Sequence, residues 1–175
     1  LLTDADLAGE SMYQPLMPDV LERLEAAGML ADSDGAKVVW VPGFVNRDGE
    51  PLPLIVQART GGFNYATSDL ACVIDRVERV GATLLVYVVG TPQSQHLQMV
   101  YAVAETAGWL TPPARAVHVN FGSVLGSDKK MLKSRSGDPV RFIDLIDEAI
   151  ERGRAAVAER STDLTLAEQA ELGQT

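Results

Sequence analysis

The chain has 175 residues, a formal net charge of −9 and 46 % hydrophobic residues. These values are typical of one globular domain and exclude a generally basic nucleic-acid-binding surface, so an RNA partner would need a local basic patch. No apolar run reaches the roughly 20 residues of a membrane helix, and the start of the chain does not resemble a signal peptide. The single cysteine, Cys72, allows no internal disulfide and indicates the cytoplasm.

The first predicted element is a helix. Apolar residues recur at helical spacing between Met12 and Gly28, and the glycine is a natural end for the helix. Pro15 and Pro18 limit how early the regular helix can begin, because proline lacks the N–H that an interior turn needs.

A β-hairpin is predicted next. Residues 37–41 and 52–57 are rich in strand formers, and Asp48-Gly49 lies in the turn-like stretch between them. Pro53 cannot donate to a ladder hydrogen bond, so it indicates that the second strand lies at an edge or starts late. The hairpin would span about residues 36–58.

From residue 66 onward the sequence predicts alternating helices and strands. Helices are predicted at 66–80, 93–107 and 142–160, and strands at 83–89 and 116–121. The unbroken apolar run at 83–89 is typical of a buried parallel strand, and 116–121 is a candidate for another central strand. This order is typical of an open parallel α/β sheet, whose ligands bind beyond the carboxyl ends of the strands. In the last helix we expect an inward face, formed by Ile143, Ile146, Ile150 and Val157.

The loop after the last predicted strand contains Lys130-Met131-Leu132-Lys133-Ser134. When a carboxylate attacks the α-phosphate of ATP, charge builds on the phosphate oxygens, and a positioned ammonium stabilises it. The five residues differ at one position from the KMSKS signature of class I aminoacyl-tRNA synthetases. The resemblance implies catalytic roles for Lys130, Lys133 and Ser134, with Lys133 stabilising the transition state and Lys130 assisting. From the residues alone, a solvated basic loop without chemistry is the alternative.

The strand before this loop ends in His118-Val119-Asn120-Phe121-Gly122. This segment resembles the part of arginyl-tRNA synthetases that lies beside adenine and leads into the signature loop. The resemblance implies an ATP site formed by His118, Val119, Phe121, Gly122, Lys130 and Lys133. Backbone groups can bind adenine there without any special side chain, and the alternative for His118 is a histidine held by packing at the strand end.

A further match is Gly61-Gly62-Phe63-Asn64-Tyr65-Ala66-Thr67-Ser68-Asp69-Leu70-Ala71. It resembles a segment of arginyl-tRNA synthetases in which a tyrosine and an aspartate hold the substrate arginine, which implies that role for Tyr65 and Asp69. Residues four apart share a face of a helix, and a carboxylate binds a guanidinium through paired, charge-assisted hydrogen bonds. The alternative is that Thr67 or Asp69 only caps the helix and Tyr65 fills the core.

The loop after the strand at 83–89 reads Gly90-Thr91-Pro92-Gln93-Ser94-Gln95-His96-Leu97-Gln98. It resembles a Gln-x-x-His segment of the same family, which implies that Gln93 contacts the substrate arginine. His96 is a further candidate that would position substrate or ATP groups. The alternative for His96 is a histidine at a helix start that is hydrogen-bonded to nearby backbone.

The matches follow one another in order along nearly the whole chain, which resembles the second half of an arginyl-tRNA synthetase catalytic domain. The implied fold is α/β, a Rossmann-like open parallel sheet with flanking helices and the hairpin as an insertion. Residues 1–160 would form the partial catalytic domain. Residues 161–175 would be a tail or short polar helix that leads toward an anticodon-binding domain.

One family motif does not occur in this chain. Class I synthetases bind the ATP phosphates with the histidines of a HIGH motif, whereas His96 and His118 are the two histidines here and neither lies in that pattern. The chain also starts at Leu1 and lacks an initiator Met, and it lacks the family's first strand and helix and the anticodon-binding domain. We therefore expect a fragment that is inactive alone.

The function implied by the resemblance is that of an arginine–tRNA ligase, which uses ATP to activate L-arginine and transfers it to tRNA-Arg. Mg²⁺ would accompany ATP, with no metal site on the protein, in a cytoplasmic enzyme whose oligomeric state is left open. One alternative is a non-catalytic, stand-alone module that binds arginine or a partner protein. Another is an unrelated nucleotide-using α/β protein that shares only the fold.

Overall fold

The structure is a computed structural model that describes residues 3–122 and 142–160. The chain divides into two compact units, Leu1–Gly122 and Ser123–Thr175. The lysine-rich loop that contains Lys130, Lys133 and Ser134, and the predicted tail helix, lie outside the described residues. In the part of the chain that the structure describes, no helix is both long and apolar enough to cross a membrane.

The first helix begins later than the apolar spacing predicts. A 3₁₀ helix occupies Glu10–Leu16, and the regular helix α1 runs from Met17–Ala26. Pro15 lies inside the 3₁₀ segment, while Pro18 lies in the first turn of α1, where its missing N–H would have no helical partner. Gly28 follows the helix with φ +66°, so the predicted end is confirmed.

Three antiparallel strands follow, in the order β1-β2-β3: β1 Leu30–Ser33, β2 Ala36–Val45 and β3 Pro51–Gln57. The predicted hairpin is β2–β3, and Pro53 lies in an edge strand as expected. Strand β1 was not predicted, because its sequence Leu-Ala-Asp-Ser is short, half polar and without β-branched or aromatic residues. Its turn carries the signal instead: Asp34 (φ 49°) and Gly35 (φ 80°) both have positive φ, as a two-residue hairpin turn requires.

The α/β region contains α2 Tyr65–Ile74, β4 Leu84–Gly90, α3 Ser94–Thr106 and β5 Arg115–Phe121. A π-helical turn at Asp75–Arg79 continues α2 to the end of the predicted helix. Strands β4 and β5 are parallel, in register from Leu84↔Arg115 to Gly90↔Phe121. The α/β class, with a parallel sheet and the hairpin as an antiparallel addition, is confirmed.

Burial of the parallel sheet differs from the prediction. Along β4, Leu85 and Tyr87 are buried in the core, whereas Leu84, Val86 and Val88 are exposed. The predicted burial of this strand is therefore confirmed for one face and wrong for the other. Helices α2 and α3 supply core side chains on one face, and among the described residues β5 pairs with β4 alone, so it is not a central strand there.

The second unit is described through α4, Phe142–Arg160, whose bounds match the predicted helix. The predicted inward face is wrong for Ile143 and Ile146, which are exposed, while Ile150 and Val157 are half-buried. Since α4 is the one element described in this unit, its apolar side chains have no other described element of the unit to pack against.

Candidate arginine and nucleotide site

The start of α2 is fixed to the hairpin sheet. The Asn64 side chain accepts a hydrogen bond from the Ala66 N–H (3.1 Å) and donates one to the Ile55 carbonyl (2.7 Å). Thr67 is buried, and its hydroxyl donates to the Val56 carbonyl. Because Asn64 is the N-cap, neither Thr67 nor Asp69 caps the helix. Tyr65 is 61 % exposed and so does not fill the core.

Three predicted site residues meet at this point: Tyr65, Asp69 and His96, named here the Tyr65–Asp69–His96 cluster. The His96 Nε2 atom lies 2.6 Å from Asp69 Oδ2. The rings of Tyr65 and His96 are edge to face, with centroids 4.6 Å apart and an interplanar angle of 64°. The Asp69 side chain is 34 % exposed and that of His96 13 %. The carboxylate is therefore accessible and the imidazole lies mostly behind it.

Two cavities adjoin the Asp69–His96 pair of the cluster. One, of about 220 Å³, is lined by Ala8, Glu10, Tyr13, Ser68, Asp69, Cys72 and Arg76. The other, of about 260 Å³, is lined by residues 52–55 with Tyr65, Ala66, Gln95, His96 and Met99. In the first cavity the Ser68 hydroxyl donates to Glu10 Oε1 (3.1 Å), so two carboxylates and one guanidinium border the same space. This cavity has the charges needed to bind a cationic group.

Glu10, Ser68 and Arg76 were not among the predicted site residues. Arg76 lies seven residues after Asp69, which corresponds to two helical turns on the same face, so helical spacing alone could have suggested it. No such local signal exists for Glu10, because its contact with Ser68 spans 58 positions in the sequence.

The phenols of Tyr87 and Tyr101 and the thiol of Cys72 lie close to the Asp69 and Arg76 side chains that line the first cavity. The rings of Tyr87 and Tyr101 are 5.4 Å apart, and the Arg76 guanidinium lies 5.2 Å from the Tyr87 centroid. Burial, with a contribution from the Asp69 carboxylate, raises the pKa of Tyr101 to about 12, and burial likewise raises the pKa of Tyr87 and of the Cys72 thiol. All three groups are therefore neutral at physiological pH, and Cys72 is not poised as a nucleophile.

Gln93 is not joined to the cluster. It ends the 3₁₀ turn Thr91–Gln93 that precedes α3, and its side chain is exposed. Within residues 3–122 and 142–160 it makes no hydrogen bond to Tyr65 or Asp69. The structure therefore places Gln93 one turn before His96, without a hydrogen bond to the other two predicted arginine-binding residues.

The predicted nucleotide residues lie at the carboxyl ends of β4 and β5. The His118 Nε2 atom is 2.8 Å from the Val89 carbonyl, and the Thr91 hydroxyl donates to the Phe121 carbonyl (3.0 Å). These bonds connect the two strand ends, and the first of them occupies one nitrogen of His118. Val119 and Phe121 are exposed and Gly122 follows them, so apolar side chains and backbone are available beside the strand ends.

Comparisons with known proteins agree on one family. The profile described as "tRNA synthetases class I (R), catalytic domain" matches residues 2–174. The chain is 51 % identical over 163 residues to the arginine–tRNA ligase of Thermobifida fusca (strain YX), covering 93 % of this chain and 28 % of that protein. It is 48 % identical to the arginine–tRNA ligase of Trichodesmium erythraeum (strain IMS101), covering 89 % and 26 %.

Solved structures give the same fold. A crystal structure of arginyl-tRNA synthetase from Plasmodium falciparum aligns with a TM-score of 0.67 and 25 % identity, over 95 % of this chain and 26 % of that one. The Thermus thermophilus arginyl-tRNA synthetase aligns with a TM-score of 0.62 and 20 % identity, over 91 % and 32 %, which shows the fold alone. The chain thus spans about a quarter of the length of the curated relatives it matches.

Proposed function

This chain belongs to the family of class I (R) tRNA synthetase catalytic domains, and from that premise we propose that it forms the arginine-selecting part of a cytoplasmic arginine–tRNA ligase. The whole ligase would join L-arginine to tRNA-Arg at the expense of ATP, with release of AMP and pyrophosphate. Because the chain carries a net charge of −9, the tRNA would contact a local basic patch or regions outside this chain.

The Tyr65–Asp69–His96 cluster is the observation that carries this proposal. The Asp69 carboxylate is held by His96 through one oxygen, while its other oxygen makes no hydrogen bond within the described residues. A guanidinium can donate to such a carboxylate through charge-assisted hydrogen bonds, and the exposed Tyr65 ring offers a face on which a planar cation stacks. Lysine has no planar group and would use this geometry less well. Gln93 would contact the substrate from the turn before α3.

The nucleotide would bind beyond the carboxyl ends of β4 and β5. Val119, Phe121 and Gly122 would contact adenine, with His118 beside them. From the loop outside the described residues, Lys133 would stabilise the charge on the α-phosphate, and Lys130 and Ser134 would assist. Mg²⁺ would arrive with the triphosphate; among the described residues there is no group of three or more metal-binding side chains.

The relatives favour the ligase over a stand-alone binding module. Proteins named arginine–tRNA ligase match 93 % and 89 % of this chain, with sequence identities of 51 % and 48 %. Membership of the family also excludes an unrelated nucleotide-using protein that shares only the fold.

Calorimetric titration of the purified chain with L-arginine tests the proposal. We expect saturable binding, with much weaker binding of L-citrulline, which has the shape of arginine and lacks its charge. Asp69→Asn should weaken arginine binding by roughly 10- to 150-fold, since a hydrogen bond to a charged group contributes about 1.5–3 kcal/mol. Asp32→Asn is the control, because Asp32 is an exposed strand carboxylate paired with Lys37. Equal affinity of the wild-type chain for arginine and citrulline would contradict the proposal.

A further inference from the structure

We infer that His96 is a positioning residue for arginine selection: it holds the Asp69 carboxylate in the orientation that receives the guanidinium. The inference rests on the proposed function and deepens it. It starts from the 2.6 Å contact between His96 Nε2 and Asp69 Oδ2, which joins the first turns of α3 and the middle of α2 across 27 positions in the sequence.

The chemistry of the contact fixes its direction. An ionised carboxylate oxygen only accepts hydrogen bonds, so the Nε2 atom of His96 carries the hydrogen and donates it. The Tyr65 ring, edge to face at 4.6 Å, contacts the imidazole from a second side. With a 13 % exposed side chain, His96 has little freedom to turn away. The hydrogen bond therefore comes from a donor whose own orientation is fixed by packing.

The Asp69 carboxylate has more freedom without this donor. Its side chain is 34 % exposed, and no other hydrogen bond to it exists within the described residues. A carboxylate that rotates freely must lose that freedom when it binds a planar ligand, and this loss weakens the binding. By occupying Oδ2, His96 orders the carboxylate in advance and leaves Oδ1 directed to the ligand. A neutral ligand gains less from this ordering, so His96 should act on the preference for arginine over citrulline.

Titration of three variants with arginine and citrulline measures the role. His96→Phe keeps an aromatic ring beside Tyr65 and removes the donor, and we expect about tenfold weaker arginine binding with a small change for citrulline. His96→Gln keeps an N–H donor and should recover most of the loss. In the Asp69→Asn background, His96→Phe should have no further effect, because both changes act through one carboxylate.

Nitrogen NMR of the labelled chain tests the contact itself and does not depend on arginine binding. The chain has two histidines, and His118 is an internal reference because its Nε2 atom donates to the Val89 carbonyl instead. Asp69→Asn should shift the His96 ring nitrogens and leave those of His118 in place. A His96 spectrum that does not respond to Asp69→Asn would overturn the inference.

The two proposals fail in different ways. If the wild-type chain binds arginine and His96→Phe binds it equally well, the positioning role is wrong and the proposed function stands. Equal weakening of arginine and citrulline, or a lowered melting temperature without recovery in His96→Gln, would show a structural role and would also overturn the inference. If the wild-type chain binds no arginine, both proposals are wrong.

Discussion

The two faces of the parallel sheet are made of similar residues and have opposite surroundings. On one face of β4, Leu85 and Tyr87 pack into the core that α2 and α3 share; on the other, Val86 and Val88 are exposed, as are Val119 and Phe121 of β5. We call these the covered face and the bare face. Apolar residues on both faces of a strand are typical of a sheet that is covered on both sides in the complete fold. The residues described here supply helices for one of those faces, so the other is exposed.

The relatives put this difference in context. They match this chain over about a quarter of their own length, so most of their residues have no counterpart here. We predict that in a protein of that length the bare face is covered by other parts of the catalytic domain, because a contiguous apolar patch is seldom left in water.

The largest expected effect concerns activity. Class I synthetases bind the ATP phosphates with a HIGH motif, and this sequence contains no such pattern. We therefore predict that the chain alone shows only background ATP–pyrophosphate exchange with arginine and tRNA present. Losing the groups that stabilise a transition state costs orders of magnitude in rate. Robust exchange by the purified chain would contradict this prediction.

Matched truncations compare the faces directly. Leu85→Ala on the covered face should lower the free energy of unfolding by about 2–4 kcal/mol, because it removes a buried side chain and leaves a cavity. Val86→Ala, the next residue on the bare face, should cost less than about 1 kcal/mol. Urea denaturation measures both. Similar losses for the two variants would mean that the bare face is covered in solution.

The buried carboxylate of Asp75, in the turn that continues α2, should make the stability of the fold depend on pH. Hydrogen bonds from Arg79, opposed by burial, hold the pKa of Asp75 below its ordinary value of 3.8. A carboxyl with a lowered folded-state pKa contributes stability that is present above the unfolded-state pKa and is lost as the pH falls through the folded-state value. The urea concentration at the unfolding midpoint should therefore decrease when the pH is lowered below about 4. Asp75→Asn should reduce that dependence, and Asp32→Asn should preserve it.

The smallest effect on stability is expected from a charge on the bare face. Val88→Lys should change the free energy of unfolding by about 0.5 kcal/mol or less, because the side chain already lies in water. The same change should reduce the binding of an apolar dye such as ANS, since it interrupts the exposed patch. A large loss of stability with unchanged dye binding would contradict this description of the surface.

The sequence was a good guide wherever the signal was local. The hairpin, helices α2 to α4 and the parallel pair β4–β5 follow from periodicity and turn residues. Tyr65 and Asp69, four apart on one helix, were predicted together and are found in one cluster. The predicted burial of β4 is wrong for one of its faces, because apolar composition does not reveal which neighbours are present.

Contacts between segments that are distant in the chain could not be predicted from the sequence. The hydrogen bond between Ser68 and Glu10 depends on how the 3₁₀ segment packs against α2, and that between His96 and Asp69 depends on how α3 crosses α2. Each joins residues many positions apart, and neither has a spacing that a pattern can detect. The roles assigned to Lys130, Lys133 and Ser134 stay predictions.

The Asn64 side chain links the hairpin to α2 with a single amide, whose nitrogen donates to the Ile55 carbonyl and whose oxygen accepts from the first turn of the helix. Protein engineers can use this arrangement. The turn at Asn46–Glu50 is closed by hydrogen bonds that involve the Asn46 side chain and backbone. A reporter peptide inserted in this turn should therefore leave the hydrogen bonds between β3 and the start of α2 intact. A shift of β3 by one residue in its register with β2 would instead remove the Ile55 carbonyl from Asn64 and displace the start of α2.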